Sequence, residues 1–65
     1  MSYEEFLDEV TTLITEKYDL SDEAAIRMVM RAQADGAFSD HDDDPSLRTL
    51  ARAHQEANSV YRKYQ

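Results

Sequence analysis

Residues 2–18 read Ser-Tyr-Glu-Glu-Phe-Leu-Asp-Glu-Val-Thr-Thr-Leu-Ile-Thr-Glu-Lys-Tyr, and their spacing is that of a helix with one apolar side. Tyr3, Phe6, Leu7, Val10, Leu13, Ile14 and Tyr18 recur at intervals of three and four, which puts them on one face at 3.6 residues per turn. Ser2 followed three residues later by Glu5 is a capping box, in which the serine caps the helix and the glutamate reaches back. Glu4, Glu5, Asp8 and Glu9 crowd the first two turns, where the helix dipole favours negative charge.

Two more helices follow downstream. Ser21 caps the second, with Asp22 and Glu23 in its first turn and Leu20 placed to staple onto Ala25. Ala25, Ile26, Val29 and Met30 make one face, and Met28 and Ala32 carry the apolar surface round the side. An apolar surface this wide on a short helix suits the centre of a bundle or a contact between copies. Gly36 is the natural stop because it tolerates positive φ. Residues 36–44 then form an acidic loop with Phe38 as its apolar anchor. Asp44-Pro45 restarts the helix, with the acid as cap and proline in the first turn. Along it, Leu47, Leu50, Ala51, His54, Ala57, Tyr61 and Tyr64 line the inner face. Arg48, Arg52, Gln55, Ser59, Arg62 and Lys63 line the outer one.

The expected fold is all-α: one domain, residues 1–65, a three-helix bundle with helices at about 3–18, 22–35 and 45–64. The expected core is Tyr3, Phe6, Leu7, Val10, Leu13, Ile14, Ala25, Ile26, Val29, Leu47, Leu50, Ala51, Ala57 and Tyr61, with Phe38 tucking the loop in. If the first and third helices run antiparallel, Tyr3 meets Tyr61 or Tyr64.

Composition narrows the function. Leu, Ile, Val and Phe make up only twelve of 65 residues, and the net charge is −7. A chain this short buries only about 60% of its unfolded surface. With no cysteine to add a disulfide, self-association or a partner has a thermodynamic motive. Self-association through the faces of the second helix, as a homodimer or a larger structural oligomer, is one such arrangement. The opening residues lack a basic-then-apolar leader, position 2 is not glycine, and no apolar run spans a bilayer. These features lead to the expectation of a cytoplasmic protein with no membrane partner.

No catalytic signature stands out. Gly36 is the only glycine, so there is no phosphate-cradling loop, and Ser39 and His41 are neighbours only in sequence. Asp40, Asp42 and Asp44 alternate as in a calcium loop. The sixth and twelfth positions counted from Asp40 are Pro45 and Ala51, where that loop needs glycine and a bidentate glutamate. His41 and His54, without cysteine, do not make a zinc set; His54 reads as a boundary residue of its helix. No enzyme activity, cofactor or metal is therefore expected.

Charge asymmetry is the main functional signal. Residues 1–44 hold thirteen acids against three bases, and residues 45–65 one acid against four bases. Four carboxylates in six residues give about one charge per 2 Å of helix axis, close to the roughly 1.7 Å of duplex DNA. The expectation is a non-enzymatic module whose negative face docks on a basic protein surface, as a DNA mimic or inhibitor of a nucleic-acid-binding protein. Its residues are Glu4, Glu5, Asp8, Glu9, Asp40, Asp42, Asp43 and Asp44, with Asp19, Asp22 and Glu23 extending the field if they share the face. The alternative is a DNA-associated regulator using Arg48, Arg52, Arg62 and Lys63. Against direct nucleic-acid binding stand the acidic surroundings and the nine residues from Gly36 to Asp44, too long for a helix-turn-helix connection.

Overall fold

The three long helices each start where a side-chain oxygen takes up a free backbone amide. In the computed structural model, which describes all 65 residues, α1 spans Tyr3–Tyr18 behind a complete capping box. Ser2 Oγ accepts from the Glu5 amide at 3.1 Å, and Glu5 Oε1 accepts from the Ser2 amide at 3.0 Å. Asp19 ends α1 in the left-handed region at φ 53°, a conformation that aspartate tolerates better than most residues. Helix α2, Asp22–Ala34, starts behind Ser21, whose hydroxyl accepts from the Ala24 amide. Gly36 follows it at φ 83°, the positive φ for which the sequence nominated it.

The remainder departs from the expected helix at 45–64. Ser39–Asp43 form a short helix, α3, inside the expected acidic loop. Asp44 does act as a cap, accepting from the Ser46 amide at 3.0 Å, but the element it starts is a three-residue 3-10 turn, Pro45–Leu47. Arg48 and Thr49 then break the helix. The last helix, α4, is Leu50–Tyr64, capped by Thr49 Oγ1 on the Arg52 amide.

The fold is a small all-α bundle with α1, α2 and α4 as its substantial members. Its core is Phe6, Val10, Leu13 and Ile14 from α1, Ala25, Val29 and Ala32 from α2, Phe38, and Ala53, Ala57 and Val60 from α4. Phe38 is fully buried, as expected of the loop anchor. Helix α4 packs chiefly on α1, and the two run in the same direction. Arg48, just ahead of α4, bonds the Met1 carbonyl, and Tyr61 near its far end stacks on Tyr18 with ring centroids 3.7 Å apart. The tyrosine pairing expected from antiparallel helices is therefore corrected: Tyr61 meets Tyr18, not Tyr3.

The expected core also needs correction at several positions, although Tyr3 and Leu7 still pack against its edge. Ile26 and Leu50 are about half exposed, at 47% and 53%, and Ala51 is exposed. Tyr3, Leu7, Leu47 and Tyr61 are only half-buried. Ala32, Ala53 and Val60 take core positions instead. The inner face of α4 is turned by roughly 60° from the expected one at about 100° per residue. The 3-10 turn and the two residues after it break the phase between Leu47 and α4, and alanines at 53 and 57 let α4 close on α1 along a different line.

Candidate functional site

Arg48 holds the acidic segments together. Its Nε donates to the Met1 carbonyl at 3.0 Å, and its Nη1 donates to the carbonyls of His41 at 2.8 Å and Asp42 at 3.0 Å. The start of α1 and the whole of α3 are thereby tied to one end of the bundle. Below this clamp, His41 stacks on Phe6 at 5.0 Å and meets the edge of Phe38 at 5.9 Å. The loop is thus pinned from inside by aromatic packing and from outside by a guanidinium.

At this pole Glu4, Glu5, Asp40, Asp42, Asp43 and Asp44 are all exposed. The Tyr3 phenol lies close enough to Asp42 to feel it: burial raises its pKa above the usual 10.0, and the Asp42 carboxylate raises it further. Two of the six carboxylates also serve as caps. The Ser2 backbone and side-chain hydrogen bonds hold Glu5 below the ordinary carboxylate range. The Ser46 hydroxyl and amide do the same for Asp44. Both therefore keep their charge into more acidic solution than a free carboxylate.

No lysine or arginine forms an ion pair with the pole's carboxylates within 4.0 Å, although the Arg48 charge acts on Asp44 and helps to lower its pKa. The one base–carboxylate approach within 4.0 Å is His41 Nε2 to Glu56 Oε2, at that distance. Arg48 donates from Nε and Nη1 to backbone carbonyls, which leaves its positive charge in place beside the acids. Lys17 donates to Asn58 Oδ1, which also accepts from the Tyr18 hydroxyl at 2.7 Å. Arg31 and Lys63 lie over the Tyr64 ring at 5.5 and 5.4 Å, and the Tyr64 hydroxyl donates to Asp35. That bond raises the Tyr64 pKa.

Not every expected acid belongs to the pole. Glu9 is half-buried. Asp8 lines the groove between α1 and α2. Of the four α1 carboxylates, Glu4 and Glu5 stand in the first turn at the pole, and Asp8 and Glu9 stand one turn further along the helix. Asp19, Asp22 and Glu23 lie where α1 ends and α2 begins, about 24 Å of helix rise from Tyr3. They form a second, separate acidic region rather than an extension of the first.

Among the residues of the alternative reading, Arg52, Arg62 and Lys63 are exposed and Arg48 is half-buried. Of the two histidines, His41 rather than His54 is the buried one, 7% exposed, and neither ring nitrogen has a hydrogen-bond partner. The sequence held one hint of this: Phe38 and His41 are three apart, one helical turn, on the only apolar side that segment has. No three carboxylate or imidazole groups converge as metal ligands do, and no helix is long and apolar enough to cross a membrane.

No protein-family model, curated protein or solved structure matches this chain.

Proposed function

We propose that the chain is a non-enzymatic binding module whose acidic pole docks on a basic surface of a partner protein. The observation that supports this is the Arg48 clamp, which brings six exposed carboxylates from two distant segments to one end while no lysine or arginine pairs with them. An array of like charges costs self-repulsion in the free protein, and a complementary surface relieves it. A groove built to hold nucleic-acid phosphate is one such surface, so inhibition by DNA mimicry is the form the binding takes in this proposal.

The experiment is a pull-down at low salt from cells that naturally make the protein, eluted with a salt gradient. A parallel bait carries Glu4→Gln, Asp40→Asn, Asp42→Asn and Asp43→Asn. Glu5 and Asp44 are left intact because their carboxylates cap local structure. A partner that leaves early in the gradient, and is not retained by the neutralised bait, supports the proposal. A complex indifferent to salt and to neutralisation refutes it. A gel shift of free DNA would favour the alternative that uses Arg48, Arg52, Arg62 and Lys63.

A further inference from the structure

We infer that the groove between α1 and α2 is a second docking site, for a cationic amphipathic helix of another protein. This groove lies apart from the acidic pole, and none of the pole's six carboxylates lines it. The groove has a volume of about 660 Å³. On its α2 side Ile26 and Met30 stand 47% and 62% exposed, one turn apart, with Val29 behind them and Leu7 opposite on α1.

Two of the three threonines in its wall are more apolar than their names suggest. Thr11 Oγ1 donates to the Leu7 carbonyl at 2.8 Å and Thr15 Oγ1 to the Thr11 carbonyl at 3.2 Å. Their hydroxyl protons are used within α1. From Leu7 to Thr15 the groove runs about 12 Å along the helix. A bound helix with apolar anchors at i, i+4 and i+7 needs about 10.5 Å, so the lengths agree.

Charge selects the occupant. Asp8 and Asp22 line the groove, and no lysine or arginine does. A helix with cationic flanks is complementary to that lining. A second copy is not: two such grooves face to face oppose aspartate to aspartate between chains that each carry −7. A stable subunit contact also takes roughly 800 Å² from each partner, about a fifth of this chain's 4139 Å², and a groove of two turns is too small for that. The chain's own basic helix α4 has already spent its apolar face, Ala53, Ala57 and Val60, on the core.

The test is fluorescence anisotropy with a labelled leucine–lysine peptide of roughly 18 residues, leucines at i, i+4 and i+7, against a scramble of the same composition. The ordered peptide should bind at least about 10-fold more tightly than the scramble. The double variant Ile26→Gln/Met30→Gln should lose about 10-fold in affinity. Both side chains are largely exposed, and far-UV circular dichroism checks that the fold persists. Asp8→Asn/Asp22→Asn should weaken binding and flatten its salt dependence. Asp40→Asn/Asp43→Asn, on α3 and outside the groove lining, should leave it unchanged, which separates this site from the pole. Equal binding of the scramble, or an unaffected Ile26→Gln/Met30→Gln variant, overturns the inference. So does a dimer in sedimentation that this variant dissolves, because the occupant is then a second copy.

Discussion

Replacing Arg48 with alanine removes the clamp that gathers the acidic pole, and the structure sets the size of the effect. Three hydrogen bonds are lost, one part-buried, to the His41 carbonyl, and two exposed, to Met1 and Asp42. A bond from a charged donor contributes about 1.5–3 kcal/mol when shielded, and an exposed one a few tenths. The total is about 2 kcal/mol. For a domain of this size each 1 kcal/mol moves Tm by about 4–8 °C, so Arg48→Ala should melt roughly 8–16 °C lower, read by circular dichroism. Arg48→Lys, which keeps the charge but not the fork that reaches three carbonyls, should fall between. Amide exchange should accelerate in residues 39–47 and change little in the middle of α4. A variant that melts within about 2 °C of the parent, or loses protection uniformly, refutes the reasoning, because Arg48 then holds nothing together.

Three further outcomes follow from the same contacts. His41 is buried with both ring nitrogens unpartnered, so His41→Leu should be neutral or raise stability by about 1 kcal/mol in urea unfolding; a clear loss would mean that Glu56 or a water satisfies the ring. The Tyr18–Tyr61 stack should give a coupling of about 0.5–1.5 kcal/mol in a double-mutant cycle with leucine, and zero coupling would deny the pair any role. Glu5 and Asp44 have depressed pKa values in the folded chain, so their stabilisation is full above the carboxylate range and is lost as pH falls through it. Tyr3 and Tyr64 have raised values, so theirs holds below pH 10 and fades above it. Thermal melts across pH should show both edges, and Glu5→Gln with Asp44→Asn should soften the acid one.

What the sequence disclosed and what it hid divide along physical lines. Helix α1 was legible throughout, because a capping box and a run of large apolar residues are local signals that the fold had no reason to override. The stop at Gly36 and the anchoring of Phe38 were legible for similar reasons. The face of α4 was legible only in part: Ala57 was expected in the core, but Ala53 and Val60 were not, because an alanine carries little hydrophobic signal and the break after Leu47 shifts the helix phase. Pro45 correctly marked a first turn but not how short that turn is. For the pole, the residues were readable from composition, but their assembly was not. Arg48 looks like one more basic residue of an outer face, and only the tertiary fold shows it bonded to three carbonyls forty-seven, seven and six positions away. The placement of Asp8 along the groove, and of the Asp19–Glu23 acids at the far end of α1, was hidden for the same reason. Spacing along one helix says nothing about what its neighbours cover.

The most direct measurement is an NMR titration of the isotopically labelled chain with a short polylysine peptide, at low salt and again near 1 M, where screening shortens to about 3 Å. Amide shifts should concentrate at Glu4, Glu5 and residues 40–44 and vanish in high salt. Shifts centred on Asp19–Glu23, or spread evenly over every exposed acid, would contradict the claim that the pole at the start of α1 and α3 is the principal docking face.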